Sequence, residues 1–290
     1  MSVGILVGKQ NHDGGWPYVR GGSWTEPTVY AVLALLSAGE TEPAGRGLKW
    51  LVRAQRRDGG WPPRYGVDQS TWVTGLVALL SPEQLGVEAH GHALAWLLRA
   101  VGRESTVLYR LREWLLGVSR PPEQEHPGWP WIPGTSGWVG PTAIAMLALE
   151  QAYRRRRAEP VQRRLDSGRQ FLLTRICKEG GWNYGSARPL GYDSNPYPET
   201  TGMALAALRG VRTPAVEQAM GTALRFLGEC RSADGLNWLE IGLAAQGRLP
   251  DGYQRPAGVE PRTLPETAMA MIASAPGHGR GLLWGSRNAT

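Results

Sequence analysis

Two apolar patterns alternate along the chain. In Leu48-Lys49-Trp50-Leu51-Val52-Arg53-Ala54-Gln55 the apolar Leu48, Leu51 and Val52 recur at helical spacing, with Lys49, Arg53 and Arg56 opposite, which predicts a helix with one wet face. Thr28-Val29-Tyr30-Ala31-Val32-Leu33-Ala34-Leu35-Leu36 is apolar nearly all round, and a helix without a polar face belongs inside. Echoes of it run from Trp72 to Leu80, Thr142 to Leu149, Thr201 to Leu208 and Thr267 to Ala273. Inner helices and amphipathic outer helices therefore alternate, and no stretch alternates apolar and polar residues long enough to read as a strand.

A loop phrase punctuates the alternation. Gln10-Asn11-His12-Asp13-Gly14-Gly15-Trp16 returns as Gln55-Arg56-Arg57-Asp58-Gly59-Gly60-Trp61, with weaker copies at Pro127-Gly128-Trp129, Lys178-Glu179-Gly180-Gly181-Trp182, Asp234-Gly235-Leu236-Asn237-Trp238 and Asp251-Gly252-Tyr253. The 45 residues from Trp16 to Trp61 and the 53 from Trp129 to Trp182 suit a helix pair plus loop. Glu88 to Val118 reads as a further helical pair without the phrase, for roughly 11 helices in all. Inner helices running one way, each entered from a long loop at the same end, predict an all-α ring. That ring is an (α/α) barrel or toroid of about 5–6 hairpins with inner and outer helix shells. Residues 1–290 are read as one toroid domain, with 276–290 a flexible C-terminal tail.

Composition sharpens two points. Thirteen Trp against two Phe in 290 residues is an unusual ratio, because cores use Trp only where the indole N–H finds a partner. The Asp-Gly-Gly-Trp phrase accounts for part of it: glycines take backbone conformations closed to other residues, and Trp16, Trp61 and Trp182 plug the gaps between hairpins. A formal charge of +7 suits attraction to anionic surfaces without bearing on the fold. No apolar run reaches the roughly 20 residues of a spanning helix, and Met1–Val7 has neither a basic segment nor an adequate apolar one, so a cytoplasmic protein is expected. Cys177 and Cys230 sit in helical patterns and read as buried thiols.

The Gln-x-x-Asp-Gly-Gly-Trp phrase and its α-hairpin period resemble the prenyltransferase and squalene-oxidase repeats, the superfamily of squalene-hopene cyclases, from about Gln10 to about Ala275. The resemblance implies an (α/α) barrel with a central apolar cavity. Class II cyclases of that group protonate an alkene or epoxide with an Asp-x-Asp-Asp-Thr motif at the start of an inner helix. Tyr197-Pro198-Glu199-Thr200-Thr201 occupies that frame, with Glu199 at the proton-donating position and the flanking aspartates missing.

Related polar clusters open the other inner helices: Trp24-Thr25-Glu26-Pro27-Thr28, Trp138-Val139-Gly140-Pro141-Thr142 and Pro265-Glu266-Thr267. Helix initiation explains them, since Thr caps, Pro fits the first turn and Glu suits the dipole. The sharper reading makes Glu199, Glu26 and Glu266 catalytic, and Trp24, Trp72, Trp138, Tyr197, Tyr192 and Trp131 substrate-binding. The dipole is worth about 0.3–1 kcal/mol to a carboxylate, whereas burial raises a carboxyl pKa by up to 3–5 units, so a glutamate facing a dry cavity becomes a general acid. Indole faces attract a developing carbocation by about 0.5–2 kcal/mol each.

Other chemistries lack their residues. Cys230 directly follows Glu229 and His278 lies in the Gly-rich tail, so no zinc site of the protein prenyltransferase kind forms, and neither an Asp-rich diphosphate motif nor a phosphate loop is present. No metal or other cofactor is expected. The run Arg154-Arg155-Arg156-Arg157, continued by Arg163 and Arg164, suits a helix C-terminus or, more sharply, a peripheral membrane contact, and it lacks the aromatic interleaving of nucleic-acid binders. Arg20, Arg64, Arg188 and Arg255 follow the Trp phrases and suit a diphosphate at the cavity mouth. Three functional readings follow. The first is an atypical class II terpene cyclase, an isomerase or lyase acting on an isoprenoid with Glu199 as acid. The second is a non-catalytic toroid binding an isoprenoid lipid or a protein partner. The third, a glycan-processing toroid with Trp platforms and paired carboxylates, fits the aromatic loops but not the repeat resemblance.

Overall fold

The computed structural model describes residues 2–117 and 125–275, so the tail from 276 and Val118 lie outside the described residues. The helices are α1 (Ser2–Gly8), α2 (Thr25–Ser37), α3 (Thr41–Ala54), α4 (Val73–Val77), α5 (Pro82–Leu85), α6 (Val87–Arg99), α7 (Val107–Leu115), α8 (Val139–Arg155), α9 (Glu159–Leu173), α10 (Pro198–Ala207), α11 (Pro214–Glu229), α12 (Ala233–Ala245) and α13 (Leu264–Ser274). The fold is all-α, as the periodicity predicts. None of these helices is long and apolar enough to cross a membrane.

Contacts group the chain into two compact units, one of residues up to Leu97 with those from Ala257 onward, the other Leu98–Pro256. In the first, α2 is buried from Val29 to Leu35 and packs on α3, α4 and α13. Outer helix α3 buries Trp50, Leu51 and Ala54 and turns Arg53 to solvent. In the second, α8 is inner, buried from Val139 to Leu149, and lies against α9 and α10. The most intimate pair is α10 with α12. Gly202 and Gly242 permit it: a Cβ on Gly202 would stand 2.2 Å from the Trp238 carbonyl carbon, and one on Gly242 2.4 Å from the Gly202 oxygen. On α7, by contrast, Leu108 and Trp114 are exposed.

The loop phrase works as a staple. The backbone N–H of Trp16, Trp61, Trp129 and Trp182 donates to Oγ1 of Thr28, Thr74, Thr142 and Thr201 on the following inner helix, at 2.8–3.0 Å. The indole N–H of Trp16, Trp61 and Trp182 donates to the carbonyls of Leu6, Leu51 and Leu172 on or beside the preceding outer helix, at 2.7–2.8 Å. All three indoles are fully buried, as the gap-filling reading requires. The Asp13 carboxylate takes the Gly15 N–H, the Ser23 hydroxyl and the Trp50 indole N–H. Burial works to raise the Asp13 carboxyl, but these donors and the Arg53 charge outweigh it and hold it below the ordinary range. Gln10 and Gln55 carry the phrase across to the next helix by donating to the carbonyls of Pro43 and Ala89. Gly14 and Gly59 adopt φ of +97° and +90°, a turn that presses them onto a neighbouring carbonyl.

Three expectations are corrected. Asp234-Gly235-Leu236-Asn237-Trp238 is not a loop copy: it lies inside α12, a sixth inner helix buried from Leu236 to Ala244. Its Asp-Gly pair mimicked the loop, but with the neighbouring backbone pressed against Gly242 only an apolar helix fits there. Short pairing does occur, Trp129–Pro130 (β1) antiparallel to Gly137–Trp138 (β2) and an isolated bridge from Trp16 to Trp24. It arises where a loop returns to the start of its inner helix, so two residues suffice and no alternation appears in sequence. Arg164 is not part of a surface patch: it is buried over the Trp129 ring at 3.4 Å and donates to the carbonyls of Pro127, Ala100 and Gly128.

Thr201→Val leaves the buried Trp182 N–H without its acceptor and is expected to lower unfolding free energy by about 1–3 kcal/mol in urea titrations, while Thr201→Ser retains most of the stability.

Candidate functional site

Each staple delivers the chain to the first turn of an inner helix, where the candidate side chains lie. In the first unit the Trp24 N–H donates to the Trp16 carbonyl at 2.9 Å, which closes the loop and brings Tyr18 over the start of α2. The Tyr18 hydroxyl donates to Oε2 of Glu26, the second residue of the helix. The Leu264 N–H, opening α13, pins the Tyr18 carbonyl at 2.9 Å. Trp24 meets Tyr18 edge to face at 5.5 Å, and the Arg64 guanidinium stands 5.1 Å from the Trp24 ring centre. Thr25 donates from its N–H to the Pro63 carbonyl and from its hydroxyl to Pro62, fixing the loop that carries Arg64.

Glu26 keeps part of its surface open while protein crowds its carboxyl, and burial pushes the carboxyl above its ordinary range against the Tyr18 hydrogen bond. The Tyr18 phenol is pushed well up by burial and by Glu26, so it stays a neutral donor. Glu266 is engaged differently: its Oε2 accepts the N–H groups of Arg262 and Thr263 in a capping box with the Thr263 side chain. Helix initiation accounts for that glutamate. Trp72 is half-buried at the N-terminus of α4.

The second unit repeats the device. Tyr184 follows Trp182 by two residues, as Tyr18 follows Trp16, and its hydroxyl donates to Oε1 of Glu199, the second residue of α10. Glu199 is half-buried. The hydrogen bond to Glu199, then burial, push the Tyr184 phenol up, with the charges of Glu199 and Asp234 adding to it. Asp234 takes the corresponding second position on α12, beside α10. Tyr197 lies 5.0 Å from Tyr184 ring to ring, Trp138 stands by Gly185, and Trp131 packs beside Gly140. Tyr192 is 77% exposed and is brought to none of these groups by any ring contact or side-chain hydrogen bond among the described residues.

Further into α12, Glu240 is buried and clasped by Arg255, Nε to Oε1 at 2.6 Å and Nη2 to Oε2 at 2.9 Å, while Nη2 also reaches Asn237 Oδ1 at 2.7 Å. Tyr253, on the loop this clasp holds, has a buried hydroxyl with no hydrogen-bond partner, and burial, then Glu240, push it up to about 12. Arg255 is thereby committed within the protein, and Arg188 pairs with Asp193 at 3.1 Å, so neither is free for the diphosphate expected at the mouth. Among the described residues no group of three or more His, Cys, Asp or Glu is placed to hold a metal ion. Sequence reasoning missed Tyr18, Tyr184 and Asp234. The signal was present: a Tyr two residues after a staple Trp coincides in both loops with a Glu in the next helix's first turn.

No protein-family model and no curated protein matches the chain. Solved structures do. An endo-β-1,4-glucanase from Acetobacter xylinum aligns over 93% of this chain and 95% of its own at 11% identity and a TM-score of 0.59. A GH8 endo-β-1,4-glucanase from an Achatina fulica gut metagenomic library aligns over 94% and 96% at 12% identity and a TM-score of 0.58. A wild-type glycosidase aligns over 97% and 95% at 14% identity and a TM-score of 0.56. At these identities the likeness is one of fold, and the fold is that of an all-α toroid of helical hairpins.

This overturns the resemblance to squalene-hopene cyclases, because the solved structures aligned above over nearly the whole chain are glycosidases. With it fall the class II cyclase, isomerase or lyase activity and the apolar isoprenoid or lipid substrate, and the lipid- or partner-binding alternative gains no support. The physical reason lies in the staple: Asp-Gly-Gly-Trp joins hairpins, a task any helical toroid must perform, and says nothing of the bond being broken.

Because the Glu26 carboxyl is raised in the folded state, ionising it costs stability. Stability tied to this group is greatest at low pH and falls as pH climbs from the ordinary carboxyl range through the raised value. Glu26→Gln is expected to remove that fall and to melt higher than wild type once the pH has passed the raised value, with no advantage at acid pH. Melting curves across pH check it.

Proposed function

We propose that the protein cleaves glycosidic bonds, with Glu26 as proton donor and the Trp24–Tyr18 aromatic pair as the surface on which a sugar ring stacks. The observation that carries this reading is a carboxyl raised by burial, aimed by a tyrosine hydroxyl and bordered by an indole. Departure of a sugar needs a proton on the glycosidic oxygen, and a carboxyl that burial makes hold its proton more tightly than an ordinary one can supply it. Tyr18 orients the acid without competing for the proton, since its own phenol is pushed far up. The partly open Trp24 offers the apolar face that pyranose C–H groups favour. The fold likeness to glucanases supports the same chemistry.

A second reading places the proton donor in the other unit. It rests on Glu199 being held by Tyr184 in the same way, with Asp234 beside it, which supplies the paired carboxylates that glycoside hydrolysis uses.

Release of reducing ends from a panel of soluble β-linked glucans, xylans and polyuronates tests both. Glu26→Gln is expected to lower kcat/KM by about 10²–10⁴ while Glu266→Gln affects melting more than turnover. Full turnover by Glu26→Gln with loss in Glu199→Gln moves the donor to the second unit, and no release from any glycan sinks both readings. Tyr18→Phe removes the hydrogen bond that holds the Glu26 carboxyl down, so the high-pH limb of kcat/KM moves to higher pH.

A further inference from the structure

We infer that the glycan accepted in the first unit carries carboxylates, as uronic acid residues do, and that Arg64 stacked on Trp24 selects them. The inference rests on the carbohydrate reading above and names the substrate class for it.

Arg64 differs from three other loop arginines. Arg255 is clasped to Glu240, Arg188 pairs with Asp193, and Arg56 pairs with Asp68. Arg64 is exposed and has no carboxylate among the described residues; its contact is the Trp24 ring. Its place is set by the two residues before it, whose carbonyls accept the N–H and hydroxyl of Thr25 at the head of α2. The cation is thus tied through one residue to Glu26.

That placement suits one kind of sugar. A uronic acid ring presents C–H groups on its faces and a carboxylate at its edge. With a face on Trp24, its carboxylate reaches the guanidinium fork, whose two parallel N–H donors match the two oxygens. A neutral hexose has only a hydroxymethyl group there and forfeits the charge-assisted pair. The charged and titratable groups on the packed elements fit the assignment. Glu26 on α2 is held toward its neutral form by burial and so does not repel an anionic ring. The carboxylate of Glu266 on α13 is turned into its capping box. Arg20, on the loop that carries Tyr18, is a further exposed cation. A formal charge of +7 draws an anionic polymer toward the protein as a whole.

Calorimetric titration with tetragalacturonate, tetraglucuronate and cellotetraose tests the assignment, using the full-length protein, Arg64→Gln, Arg64→Lys and Arg20→Gln, with melting curves to show that each variant folds. The expected result is tighter binding of a uronide than of cellotetraose, weakened by added salt. Arg64→Gln is expected to lose about tenfold or more for the uronide and little for cellotetraose. Arg64→Lys recovers part of the loss, and Arg20→Gln keeps the preference. Equal uronide affinity in wild type and Arg64→Gln overturns the inference, as does a preference lost equally in Arg20→Gln, which marks general surface charge. Binding and cleavage of cellotetraose without uronide binding leaves the glycosidase reading standing and ends this inference; binding of no saccharide ends both.

Discussion

The structure depends on how each hairpin loop satisfies its own backbone. A loop buried between helices would strand its N–H groups, at a cost of about 1–3 kcal/mol each. Here a tryptophan donates its backbone N–H to an inner-helix threonine and its indole N–H to an outer-helix carbonyl, so one residue joins both layers and fills the gap between them. Part of the high Trp count follows from that double donor, because phenylalanine has no indole N–H to give. Because the staple fixes the direction in which the chain enters the inner helix, it also fixes what the first turn presents. The Tyr18–Glu26 and Tyr184–Glu199 pairs are consequences of that geometry, each two residues beyond its staple.

Charge inside the protein is handled in two ways. Glu240 and Arg255 neutralise each other through two hydrogen bonds, and the pair anchors the loop after α12. Arg164 has no such carboxylate bond. It lies on the face of Trp129 and donates to three carbonyls, and burial lowers its guanidinium to about 9. Carbonyl dipoles and a ring quadrupole replace a counter-ion there. Glu26 has neither arrangement. Among the described residues its one hydrogen bond comes from a neutral phenol, so the protein tolerates an acid that resists ionisation, at some cost in stability when it ionises.

The corrected family resemblance shows where motif reasoning fails. The phrase around Trp16 and Trp61 joins hairpins and does not choose a reaction. Its residues, Asp13 with its bonds to Gly15, Ser23 and Trp50, and Gly14 with φ of +97°, all serve the join. Residues that serve a join recur wherever the architecture recurs, whatever the substrate. The tyrosine–glutamate pairs lie further along the chain, outside the residues of the join itself.

The chain's own pattern determined the all-α class, the alternation of inner and outer helices, the burial of Trp16, Trp61 and Trp182, and the glutamates in first turns, because each of these is set by local periodicity or by a residue's intrinsic needs. Tertiary structure decided which of the glutamates carries a carboxyl raised by burial and which caps a helix. Glu26 and Glu266 occupy nearly the same local context, yet one meets a tyrosine hydroxyl and burial while the other meets two backbone N–H groups. It also decided that Asp234 opens an inner helix, since the close approach of Gly202 and Gly242 is a contact between α10 and α12 that neither segment announces alone. Helix propensity and hydrophobic period are properties of neighbours in sequence. Desolvation and hydrogen-bond partnership, which set what a carboxyl can do, are properties of neighbours in space.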